Sequence, residues 1–102
     1  MTLFQSTEDA ILETVHGGHN LNSIAGWRRE TQARVGNQFR LQVDDDIIIA
    51  VFKRFHKAGL LRLTKPKWLG VTVEYSGKGA DDSYFFLTAT FRAEFTPTGM
   101  SY

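Results

Sequence analysis

The chain has 102 residues and is 42% hydrophobic, enough for a single domain around one modest core and too apolar for a disordered segment. It contains no cysteine, which removes disulfide frameworks and thiolate metal sites, and its longest apolar run, Ile47–Phe52, is far too short to cross a bilayer. The formal net charge is only +1, yet Gly26–Lys67 holds ten Lys/Arg against four Asp/Glu while the remainder holds two against seven, so a positive potential can be focused on one face.

The opening MTLFQSTEDA lacks the basic-then-apolar order of a secretory signal. A soluble cytoplasmic protein folding as one domain over 1–102 is therefore expected.

Ser6 followed three residues later by Asp9 resembles a capping box with Asp in place of Glu. Ala10, Ile11, Leu12 and Val15 then recur at helical spacing, which predicts a first helix over Thr7–His16, stopped by Gly17 and Gly18. His16 and His19 flank those glycines. The break denies the pair a shared helical face, and no Cys or carboxylate nearby completes a coordination shell, so no metal is expected.

Asn20 or Asn22 can cap a second helix with Leu21, Ile24, Ala25 and Trp27 inward and Arg28, Arg29 and later Arg34 outward. In Glu30–Val43, Gly36–Asn37 signals a turn, and Phe39, Leu41 and Val43 alternate with Arg40 and Gln42 as a short strand near 39–43 would. The third helix is expected over 44–58. Asp44, Asp45 and Asp46 stand at its start, where unpaired N–H groups favour anions, and Lys53, Arg54 and Lys57 stand toward its negative end. At helical spacing Ile48, Val51, Phe52, Phe55 and Ala58 make an inward stripe, leaving Ala50, Lys53, Arg54 and Lys57 on the opposite face.

After Pro66 the period becomes two. Leu69, Val71, Val73 and Tyr75 share one strand face, and Phe85, Leu87, Ala89, Phe91, Ala93 and Phe95 share another. The glycine-rich SGKGADD (Ser76–Asp82) between them predicts a long two-stranded hairpin with Tyr75 opposite Ser83. In that register Trp68, Tyr84 and Phe86 lie opposite the core row, beside Thr72, Glu74 and Thr88, as an outward aromatic patch suited to an interface.

The expected class is thus α+β, three helices followed by a hairpin. DAILETVHGGHNLNSIA (Asp9–Ala25) resembles the first helix, turn and second-helix opening of bacterial winged helix-turn-helix regulators, and AVFKRFHKAGLLRL (Ala50–Leu63) is similar to the end of their third helix. AEFTPTG (Ala93–Gly99) resembles the "LTPEG" ending of the second wing strand in PadR-like and MarR-like repressors. The resemblance implies that the third helix reads the major groove and that the hairpin is a wing along the duplex. It departs from the family in the long Ile24–Gly59 spacing, which implies an inserted loop or strand. With three residues after Gly99, it leaves no room for the C-terminal dimerisation helix of PadR-like proteins, so a dimer is expected to be built otherwise.

The expectation is a transcriptional regulator that binds double-stranded DNA as a homodimer. Lys53, Arg54 and Lys57 enter or flank the groove, and Arg28, Arg29, Arg34 and Arg40 hold phosphates. Against it stand the three carboxylates at the start of the third helix, which oppose phosphate, and a wing tip with Lys78 set against Asp81 and Asp82. The alternative is a winged-helix adaptor that binds another protein through Trp68, Tyr84 and Phe86. No HExxH, phosphate-loop or flanked-serine motif occurs, so neither catalysis nor a cofactor is expected.

Overall fold

Helices begin in this chain where a side-chain oxygen stands ready for their unpaired N–H groups. The computed structural model describes residues 4–17, 21–36, 38, 40–66, 70–77, 85–86 and 90–100. Helix α1 spans Thr7–Gly17, and Ser6 Oγ accepts from Asp9 N at 3.2 Å, as the capping pattern predicts. Helix α2 spans Ile24–Val35 and takes its cap from Ser23, whose Oγ accepts from Gly26 N at 3.1 Å. The expected cap at Asn22 is therefore displaced by one residue. Its carbonyl instead accepts from Phe91 N at 3.0 Å, tying the α1–α2 connection to the strand region. Asn20, the other expected cap, and His19 lie outside the described residues.

Helix α2 runs well beyond Arg29 because Thr31 continues its inward stripe with Trp27 and Val35. Thr31 Oγ1 donates to Thr14 Oγ1 at 3.3 Å, and Thr14 Oγ1 donates to the Ala10 carbonyl at 2.8 Å. Two fully buried hydroxyls thus satisfy each other where α1 and α2 cross, which is what makes a polar side chain tolerable there. The stretch Arg40–Val43 is turn and coil rather than the expected strand, and Phe39 lies outside the described residues.

Helix α3 spans Asp45–Lys57, with Ile48, Ile49, Val51, Phe52 and Phe55 buried. Ala58, placed in the inward stripe by spacing alone, is exposed as the C-cap. The helix ends in a Schellman motif: Gly59 N donates to His56 O at 3.0 Å and Leu60 N to Phe55 O at 2.9 Å. Gly59 has φ 78°, a left-handed conformation that an L side chain would strain.

Three helices then give way to a small antiparallel sheet of β1 (Leu61–Pro66), β2 (Thr72–Glu74) and β3 (Arg92–Phe95), followed by a short turn of helix, α4 (Pro97–Met100). The strand order is β2-β1-β3, with Thr64 opposite Glu74 on one side and opposite Arg92 on the other. This corrects the expected long hairpin. Val73 and Tyr75 pair along β1 rather than along 85–95, and Phe85–Phe86 is a helical turn, not strand. Leu69, Leu87 and Ala89 lie outside the described residues, and Val71, expected in the core row, is 56% exposed.

The reason is visible in the packing. Strand β1 offers Leu61, Leu63 and the Lys65 stem on its inner face, and Lys65 Nζ sits 4.7 Å from the Phe85 ring centroid. Phe85 and Phe86 both point inward and stack on Tyr75 and Phe91, with centroids 5.1–5.9 Å apart, an arrangement that period-two alternation cannot deliver. Trp27 meets Phe52 edge-on at 5.3 Å, and Phe52 meets Phe91 at 6.1 Å, joining α2, α3 and the sheet.

Thr96 fastens the far end of β3 to the end of α3. Its N–H donates to Leu60 O at 3.0 Å and its hydroxyl to Gly59 O at 2.7 Å, while Thr96 Oγ1 accepts from Gly99 N at 3.0 Å as the cap of α4. A Cβ at Gly99 would lie 2.0 Å from the Leu60 carbonyl oxygen, so the approach requires glycine. No helix of the described residues is long and apolar enough to cross a membrane.

Phe86 separates the two arrangements of the hairpin. At 1% exposure, Phe86→Ala should cost about 3–5 kcal/mol in urea unfolding, against about 0.5 kcal/mol or less for exposed Val71→Ala. A near-neutral Phe86→Ala would restore the outward placement.

Candidate nucleic-acid interface

The acidic start of α3 is largely consumed by the fold itself. Asp44 is the N-cap, its Oδ1 accepting from Ile47 N at 2.9 Å and its Oδ2 from Gln42 Nε2 at 3.1 Å. Asp45 Oδ1 accepts from Arg28 Nη1 at 2.5 Å, an ion pair that joins α2 to the first turn of α3. Asp46 is exposed. Two of the three carboxylates thus have internal partners and are half-buried, and the third is exposed on the helix's outer side.

At about 100° per residue, Asp46, Ala50 and Lys57 form one outward line along α3, with Lys53 and Arg54 on its two flanks. Ala50, Arg54 and Lys57 are exposed and Lys53 is half-buried, so the outward cationic grouping expected from spacing is present on the helix. Its members are held differently. Arg54 forms an ion pair with Glu8 of α1, and its guanidinium carbon lies 5.7 Å from the Phe55 ring centroid. Lys53 Nζ lies 6.0 Å from the Phe86 centroid. Among the described residues no carboxylate pairs with Lys57.

The four arginines expected to hold phosphates do not form one group. Arg28 is engaged by Asp45. Arg29 on α2 and Arg40 on the connector are exposed, with no ion-pair partner among the described residues. Arg34 reaches the C-terminal end of α1, where its Nη2 would meet a Cβ on Gly17 at 2.6 Å, and its Nε is buried without a hydrogen-bond partner among the described residues. Glu8, the partner of Arg54, stands at the opposite end of α1, about 14 Å away along its axis. Arg34 therefore does not join the α3 flank.

The aromatic patch loses one of its three expected members. Phe86, expected on the outward hairpin face, lies in the core against Tyr75 and Phe91, which removes it from any interface. Trp68, Tyr84 and the wing-tip residues Lys78, Asp81 and Asp82 lie outside the described residues. Among the described residues the outward sheet face is polar: Arg62 Nε stands 3.6 Å from both Glu74 Oε1 and Glu94 Oε1. This face continues into an open cleft that reaches His16, which packs on Phe95 at 4.5 Å.

Sequence reasoning missed Glu8 and Gln38. Gln38 accepts from Phe4 N at 3.1 Å and donates to Phe4 O at 3.0 Å, and Thr7 Oγ1 donates to Gln42 O at 2.9 Å, so the connector before α3 is laced to the start of α1. No periodicity links positions so far apart. No family model, curated protein or solved structure matches the chain.

The internal use of the acids has a direct measure. Asp44→Ala should destabilise the fold by about 1 kcal/mol through loss of the cap, whereas exposed Asp46→Ala should change urea stability by less than about 0.5 kcal/mol. Equal effects would mean that the acidic run acts as one undifferentiated cluster.

Proposed function

We propose that the protein is a small winged-helix DNA-binding module, a transcriptional regulator that sets the outward flank of α3 against duplex DNA. Helices followed by a small antiparallel sheet are compatible with that layout, and α3 presents one long face to solvent while the other anchors the core. The observation that carries the reading is the division of charge along α3. Asp44 and Asp45 are engaged within the fold by Ile47 N and Arg28, and the bases lie on the outward flank of its C-terminal half.

In this reading Lys57 and Lys53 approach phosphates from the middle and end of α3, and Arg29 and Arg40 add contacts from α2 and the connector. Base reading falls to the outward line through Ala50, where a small side chain lets the helix come close to the groove floor. Asp46 is the one carboxylate on that line, suited to accept from a cytosine amino group and opposed to phosphate. The reading involves neither catalysis nor a cofactor. The protein-adaptor alternative loses Phe86 as an anchor, and its other two anchors, Trp68 and Tyr84, lie outside the described residues.

A salt series of duplex binding tests the reading. Binding should weaken steeply as salt rises, and Lys57→Ala together with Lys53→Ala should flatten the log–log slope by about 0.9 for each phosphate no longer neutralised. No measurable affinity at about 50 mM salt, or a slope untouched by these substitutions, would refute it.

A further inference from the structure

The ion pair between Glu8 and Arg54 crosses from α1 to the outward flank of α3. The carboxylate is the fixed member. Ser6 caps the turn that carries it, Thr7 is bonded to the Gln42 carbonyl, and the backbone of Phe4 is held from both sides by the Gln38 amide. Arg54 is the more exposed member, with a side chain 63% exposed against 33% for Glu8. Its neighbours on the helix surface are Ala50 and Lys57, the positions assigned above to the duplex.

We propose that Glu8 is a built-in competitor for phosphate, holding Arg54 in the free protein and releasing it only to a polyanion already engaged by the rest of α3. The inference rests on the duplex-binding reading of that helix. A guanidinium forms the same forked hydrogen bonds with a carboxylate and with a phosphate, so the exchange replaces one partner by another of like geometry. Partly exposed ion pairs are weak enough to be exchanged. A tethered carboxylate nevertheless acts at a high effective concentration, in the millimolar range for flexible tethers, which a dilute monophosphate does not match. A duplex does match it, because Lys53 and Lys57 hold its phosphates beside Arg54. The device therefore discriminates against isolated anions and in favour of closely spaced ones.

Four proteins and one control decide the matter by fluorescence anisotropy on a labelled duplex across a salt series. Glu8→Gln should tighten binding by about two- to five-fold at low salt and leave the salt slope unchanged, because Arg54 meets phosphate in both complexes. The gain should vanish when Arg54→Ala is added, and Arg54→Ala alone should flatten the slope by about 0.9 through the phosphate no longer neutralised. Glu13→Gln removes an exposed acid from the same helix without touching Arg54, and it should not reproduce the gain. A gain that persists without Arg54, or that Glu13→Gln matches, would reduce the effect to net charge and overturn the proposal. Duplex binding by the unmodified protein with no gain from Glu8→Gln would overturn it alone. Absence of binding by both would remove the duplex-binding reading as well.

Discussion

The edge-to-face contact of Phe52 with Trp27 on one side and Phe91 on the other is the constraint from which the rest of the molecule takes its orientation. Phe52 is fully buried on the inner stripe of α3, so these two rings fasten the helix to α2 and to the sheet at once. From Phe91 the rings continue through Phe86 to Tyr75, and Tyr75 packs on His56 near the end of α3. The path leaves α3 and returns to it. A helix gripped near its middle and again near its end cannot roll about its axis, and this fixes which side chains face solvent.

That fixed rotation gives the charges their meaning. In sequence the three aspartates argue together against phosphate, but in space they are better understood one at a time. Asp44 serves the helix terminus, Asp45 serves the α2–α3 junction, and Asp46 alone is left on the outer line. Arginines divide in the same manner, with Arg28 and Arg54 drawn to Asp45 and Glu8. Counting charges over Gly26–Lys67 therefore overstates the positive surface on offer. The sum is right, but it includes groups that neutralise each other across elements.

What can be read from the amino acids alone follows the range of the interactions involved. The start of α1 at Ser6, the stripe of α3 as far as Phe55 and the stop at Gly59 depend on residues within a few positions of one another, and they stand where capping and periodicity place them. The strand pairing does not. Apolar alternation in 71–75 suits several partners, and the inward Lys65 disguises β1 as a mere exit from α3. Two successive inward rings, Phe85 and Phe86, break the period on which a long hairpin depends. The C-terminal half of α2 is hard to see in sequence because Thr31 reads as polar, and only its bond to Thr14 across the helix crossing makes it an interior residue. The outward bases of α3 are legible from spacing, but their partner Glu8 is not.

The AGL and TPTG motifs are separate marks of resemblance in the sequence, yet in space they form one joint. Thr96 bonds the carbonyls of Gly59 and Leu60, and Gly99 lies against that same Leu60 oxygen. Fraying at the last turn therefore cannot remain local: releasing Thr96 strips the end of α3 of its closure at the same moment. Amide protons of Leu60, Thr96 and Gly99 belong to a single opening unit and share one opening free energy.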